Sequence, residues 1–364
     1  MLSLRDALAD ISQQHLVSRG SSTQSSESTM IIPKLDQPSI ILSVLRLSLL
    51  VAILPFTSRA ETPPLVESEP ILVQATKGKF DCLQIDEQFD RLLADHTGNG
   101  TLDVFDLPDG KLRQTVPIGA AQDVAVDIEH SKYYVTVSDR SNLTILDRQT
   151  LKVNGSVTLP GAPDGCAYDS KNGLVYVDCD NGEELWVVDP RARRIVATIK
   201  VPKAPEFILY DPASDRIYQN IKSQAVTLVI DPAANSIINS WSTEPAESLH
   251  GLAISPTTHR LFCAGGNGKI SVLDSGSGNV LHSAEIASGV DQIAFDPAIN
   301  RIYCASGRSG LSVVEETADG VKLLGTIATP VGAHSVAVDP ATHDVWIAYA
   351  KENESFISKL SVPH

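Results

Sequence analysis

The chain has 364 residues, 43% of them hydrophobic and 20% charged, with 23 Gly and 21 Pro spread through it, which is ample for a sizeable core. Aromatic residues reach only 5% and there are 2 Met, which argues against a Met-rich or aromatic-lined recognition surface. With 29 basic against 44 acidic residues the formal charge is -15, a surface that repels phosphate backbones, so no nucleic acid is expected as a partner.

Residues 1–29 are rich in Ser, Thr and Gln and show no sustained apolar period, which reads as a disordered extension. The pattern then changes. Lys34 and Arg46 precede the apolar run Leu47-Ser48-Leu49-Leu50-Val51-Ala52-Ile53-Leu54; Pro55 breaks it, and Ser58-Arg59-Ala60 puts small residues at the -3 and -1 positions. This is the tripartite order of a secretory signal peptide, with cleavage expected after Ala60 and with Met30 as a start that gives ordinary proportions. The apolar stretch 40–56, interrupted by Arg46, is at the short limit for spanning a bilayer, so no stable membrane span is expected after cleavage. Removal of residues 1–60 leaves 24 basic and 40 acidic residues, and the expected location is the periplasm or the cell surface. The Pro-rich segment 61–70 reads as a linker.

From residue 71 onward the chain repeats. A unit of apolar, small, apolar and Asp, often followed by Pro, recurs with its anchor at Asp86, Asp127, Asp169, Asp211, Ser255, Asp296 and Asp339, at separations of 41, 42, 42, 44, 41 and 43 residues. Seven residues after each anchor stand Leu93, Tyr134, Tyr176, Tyr218, Phe262, Tyr303 and Trp346, each inside a β-forming run. A second acidic series, Asp106, Asp147, Asp189, Asp231, Asp274 and Glu315, closes the following run. Each repeat therefore predicts strand, Asp turn, strand, Gly/Asn loop, strand, Asp turn, strand, the unit of a β-propeller blade. Seven anchors predict an all-β, seven-bladed β-propeller over 71–364, with four antiparallel strands per blade. The last repeat ends after its third strand, so the N-terminal Ile71-Leu72-Val73-Gln74-Ala75 is expected to complete that blade and close the ring.

The repeats visible as Lys132-Tyr133-Tyr134-Val135-Thr136-Val137-Ser138, Gly173-Leu174-Val175-Tyr176-Val177-Asp178 and Asn300-Arg301-Ile302-Tyr303-Cys304-Ala305 resemble the YVTN-type propeller repeats of exported bacterial and archaeal proteins, including surface-layer proteins. The resemblance covers nearly all of 71–364. It implies fold and export, and leaves function open, because propellers of this kind serve as scaffolds, binding proteins and enzymes.

Five residues before each anchor, where the innermost strand begins at the channel mouth, stand Asp81, Gln122, Asp164, Glu206, His250, Asp291 and His334. Converging carboxylates either raise one another's pKa values or hold a cation, and Asp164, Glu206, His250, Asp291 and His334 form a candidate metal set. Carboxylates alone suit Ca2+, whereas two imidazoles turn the preference toward Zn2+. The alternative is that these side chains hold turn backbone and keep the blades in register. The loops between second and third strands add Asp95, His96, Asp139, Arg140, Asp178, Asp180, Lys222, Arg308 and Lys351 near the same face.

The five cysteines Cys82, Cys166, Cys179, Cys263 and Cys304 form no CxxC, and Cys263 and Cys304, on neighbouring second strands, are expected as buried thiols too far apart to bridge. No GxSxG, HExxH or CxxCH motif occurs. The expected function is a monomeric binding or scaffold module that takes a small ligand or a protein partner on its loop-rich channel face. The alternative is a lactonase-like hydrolase in which a divalent cation at the acidic mouth polarises an ester carbonyl.

Overall fold

The structure, a computed structural model, describes residues 63–179 and 181–363. The signal peptide, its cleavage after Ala60 and the start at Met30 fall outside those residues.

Seven sheets, each built on four antiparallel strands, form seven blades in chain order. Blade 1 comprises Leu83–Asp86, Arg91–His96, Thr101–Asp106 and Lys111–Pro117, running from the channel outward. The inner strands of blades 2 to 7 are Ala121–Asp127, Pro163–Asp169, Pro205–Asp211, Leu249–Ile254, Val290–Asp296 and Ser335–Val338. The only helical turns among the described residues are the short 3-10 pieces Thr97–Asn99 and Ser138–Arg140, and no helix there is long and apolar enough to cross a membrane.

The repeated residues account for this geometry. The anchor carboxylates cap the turn that follows each inner strand: Asp169 accepts from the N–H groups of Lys171 and Asn172, and Asp211 from those of Ala213 and Ser214. The residues seven places later are all buried, and two tie neighbouring blades together: Tyr176 donates to Asn235 and Tyr218 to the Ser275 carbonyl. The buried side chains fall into seven clusters, one at each junction between adjacent blades. The core is therefore a ring of inter-blade seams rather than a central mass.

Ring closure follows the expectation and extends it. Ile71–Val73 pairs antiparallel with Glu354–Ser361, placing Ile71 opposite Ile357. Val66–Glu67, inside the segment read as a linker, pairs with Ser361 and Leu360 of the same strand. Just before it Leu65 is 1% exposed, wedged among Tyr303, Val313 and Val336 at the junction of blades 6 and 7.

Candidate functional site

A β-bulge creates the site. In blades 2 to 6 the inner strand gains one residue relative to its partner just before the central ladder, for example between Pro163, opposite Cys179, and Cys166, opposite Val177. The residues five and four before the anchor occupy that bulge, which brings both members of the pair to the channel mouth, as with Asp164 and Gly165 or Glu206 and Phe207. The loops leading into the inner strands and those between second and third strands lie on this same face, joined by backbone hydrogen bonds such as Lys222 N–H to Ala204 and Gly266 N–H to Ser248.

The ring residues divide into two sectors. In blades 4 to 7 they form an ion-pair chain. Lys222 Nζ lies 2.6 Å from Glu206 Oε1, and His250 Nδ1 lies 3.4 Å from Glu206 Oε2 and 3.2 Å from Asp291 Oδ1. Beyond it His334 Nδ1 lies 3.0 Å from Asp291 Oδ2. Burial alone would pull the His250 pKa down, but Asp291 and Glu206 push it up to about 9. Asp291, though buried, is held far below the usual carboxylate range by the two imidazoles. Blade 6 approaches closely here because residue 251 is glycine: a Cβ there would stand 2.6 Å from Ile293 Cγ2 and 2.9 Å from the Asp291 carbonyl.

Blades 1 to 3 carry the acidic sector. Burial raises Asp81 to about 6, with the Asp291 charge adding to it and Lys79 opposing it. Asp123, the residue beside Gln122 in the bulge, is also raised to about 6 by burial, although its oxygens accept from the N–H groups of Val124 and Cys166. Gln122 itself turns to Ser138 Oγ, 2.9 Å away, and to the Ala120 carbonyl. Asp81, Asp123, Asp164, Glu206 and Asp291 line one cavity of about 30 Å³, with Cys82, Gly165 and Phe207. That is room for a water or an ion, against several hundred Å³ for a typical small-molecule pocket. Below it Gln292 reaches across the channel, bonding both backbone groups of Leu83 in blade 1 and the Val336 N–H in blade 7.

Several residues expected in mouth loops are instead buried in strands. Asp95, His96 and Asp178 are fully buried; Asp178 accepts from the Gly165 N–H and from Gln219, and its pKa is pushed well up by burial and by Asp164. Asp139 caps the Ala120 N–H in the loop before its own inner strand. Asp123 escaped the sequence reading because only the bulge brings two consecutive residues to the mouth.

A Ser-His-Asp chain that the sequence does not reveal joins blades 7 and 1. Ser355 Oγ lies 2.9 Å from His96 Nε2, and His96 Nδ1 lies 2.7 Å from Asp103 Oδ2. All three residues have no exposed surface, Ser355 donates to the Gly78 carbonyl, and Phe80 stacks on the imidazole at 3.9 Å. With no room for a substrate at Oγ, this is a seam clasp rather than a nucleophile. Cys263 and Cys304 are likewise fully buried, and burial pushes the Cys263 thiol up to about 12.

No protein-family model matches the sequence, and no curated protein matches it. Among solved structures, hydrazine synthase of Kuenenia stuttgartiensis is similar at 14% identity and a TM-score of 0.66, over 78% of this chain and 98% of that one. The WD40 repeats of RRP9 are similar at 9% identity and a TM-score of 0.70, over 82% and 100% of the two chains. A chain of the mitotic checkpoint complex matches at 11% identity and a TM-score of 0.70, over 86% and 99%. At these identities the likeness is one of fold, and the chain is a seven-bladed β-propeller.

Proposed function

We propose that this chain is an exported β-propeller of the YVTN type that works as a binding module, engaging a cationic group of a protein partner at its channel mouth. The observation that carries the reading is the mouth cavity: carboxylates from five blades converge on about 30 Å³, a volume that concentrates negative charge without enclosing an organic substrate. A lactone ring would find no chamber there, and the described Ser-His-Asp chain is sealed. On the same face of the ring, the hairpins between second and third strands of blades 6 and 7 carry Arg308 and Lys351, charges of opposite sign to the mouth that help orient a partner. Export is supported by the n-region, apolar run and Ser58-Arg59-Ala60 order alone.

The experiment is site-specific photo-crosslinking in the cells that make the protein, with the reactive residue at 308 or 351 on the mouth face and at 128 or 129 on the opposite face. A discrete adduct from the mouth positions, lost with Asp81→Asn/Asp164→Asn, is expected. Adducts from both faces alike, or adducts unaffected by neutralising the mouth, would overturn the reading.

A further inference from the structure

Three donor atoms at the mouth have the spacing of a metal site. Asp291 Oδ1 and Glu206 Oε2 stand 3.2 and 3.4 Å from His250 Nδ1, and one donor atom from each residue falls within 4.8 Å of the other two. An ion about 2.0–2.2 Å from its nitrogen and oxygen ligands in a tetrahedron sets those ligands roughly 3.3–3.6 Å apart. The two contacts of Nδ1 lie at or within 0.1 Å of that range, so an ion could replace the bridging proton with little movement of the ligands.

Each carboxylate also has its second oxygen held from behind. His334 Nδ1 lies 3.0 Å from Asp291 Oδ2, and Lys222 Nζ lies 2.6 Å from Glu206 Oε1. Outer partners of this kind fix a ligating carboxylate so that its remaining oxygen points one way. Two of the three donor residues, Glu206 and Asp291, also border the cavity of about 30 Å³ that Asp81, Asp123 and Asp164 line with them.

We propose that Glu206, His250 and Asp291 form a mononuclear site for a divalent transition-metal ion of the Zn2+ class, with the fourth coordination position opening into the mouth cavity. One imidazole with two carboxylates matches the donor preference of such ions, whereas Ca2+ takes six to eight oxygens. The other carboxylates lining that cavity, Asp81, Asp123 and Asp164, supply a negative field that draws the cation in. His334 and Lys222 are positioning residues, and Asp164 faces the cavity rather than the ion. The site shares Glu206 and Asp291 with the mouth cavity of the partner-binding reading but does not depend on that reading, since it requires only that three side chains ligate.

The test uses the full chain, stripped with a chelator and titrated with Co2+ while the visible d–d absorption is followed, then with Zn2+ by calorimetry. The expected result is one equivalent of Co2+ with the intense absorption of a four-coordinate ion, displaced by Zn2+. His250→Ala and Glu206→Gln each abolish it. Glu206→Gln, which keeps shape, preserves the test where His250→Ala does not fold. His334→Gln weakens Zn2+ binding about 10- to 100-fold without changing the stoichiometry. Absence of stoichiometric binding of either ion, retention of the cobalt spectrum in both ligand variants, or preference for Ca2+ over Zn2+ would overturn the proposal.

Discussion

Asp95 occupies in blade 1 the position that Thr136 occupies in blade 2, nine residues after the anchor, yet the two side chains fare differently. Thr136 Oγ1 donates to the carbonyl of Asp164 in the next blade, and Asn220, the blade 4 equivalent, donates to the carbonyl of His250 in the blade after its own. Asp95 is fully buried, neither carboxyl oxygen has a hydrogen-bond partner, and burial together with Asp123 and Asp81 pushes its pKa well up. Only a protonated Asp95 can donate as its equivalents do. Asp95→Asn supplies a permanent donor of the same shape and is expected to stabilise the protein by about 1–3 kcal/mol at neutral pH, the usual cost of a buried unsatisfied polar group. Urea denaturation of the two proteins measures it, and a loss of stability in the variant would count against the assignment.

The pH dependence of the metal-free protein follows from the same face. Asp81 and Asp123 have folded-state pKa values of about 6 against 3.8 unfolded. The folded state therefore binds more protons than the unfolded state across that interval, and stability rises as pH falls from above 6 toward 4. His250 works in the same direction at higher pH: raised from 6.5 to about 9, it contributes stability that is complete below 6.5 and is lost as pH rises through 9. Asp291, held far below its unfolded value of 3.8, works in the opposite sense: its contribution to stability is complete above that value and is lost as pH falls below it. Melting temperature is thus expected to be higher at pH 5 than at pH 9, with Asp81→Asn flattening the part between 4 and 6. A melting temperature that increases steadily from pH 5 to pH 9 would contradict this ordering of charges.

Ring closure depends on a residue ahead of the strand that completes blade 7. Leu65 is buried at the junction of blades 6 and 7, so Leu65→Ala is expected to cost about 2–5 kcal/mol in equilibrium unfolding, as other buried Leu truncations do. A variant within ~0.5 kcal/mol of the parent would show that closure rests on Ile71–Val73 alone.

The Ser355–His96–Asp103 chain gives a negative expectation that is easily checked. Incubation with a fluorophosphonate probe should leave Ser355 unmodified in the folded protein, because its Oγ is sealed beneath Phe80 and the Gly78 backbone. Ser355→Ala should lower stability by about 1 kcal/mol through loss of the seam hydrogen bonds. Stoichiometric labelling of Ser355 would reopen the hydrolase reading.

The blades were legible in the sequence because a turn-capping Asp and a buried aromatic recur on a fixed clock, and each answers a local demand that every blade shares. The mouth was legible in part: the ring position five before the anchor was visible, and six of its seven residues are ionisable. What distinguishes Glu206, His250 and Asp291 from Gln122 is contact across blades, which depends on the bulge and on the glycine at 251. The clasp of His96 with Ser355, 259 residues apart, has no local signature at all. The outer strand of blade 7, expected over 71–75, covers Ile71–Val73, and pairing with the same partner begins earlier at Val66–Glu67, because Leu65 has a buried site that a Pro-rich context disguised as linker.

The most direct measurement is calorimetric titration of a lysine-rich peptide into the protein at low and physiological salt, for the parent, for Asp81→Asn/Asp164→Asn at the mouth, and for Glu87→Gln/Glu129→Gln on the opposite face. A cation-accepting mouth predicts salt-sensitive binding that falls at least tenfold in the mouth variant and stays close to the parent value in the other. Equal losses in both variants would mean that the peptide responds only to the overall charge of -15, and the mouth would no longer be the recognition surface.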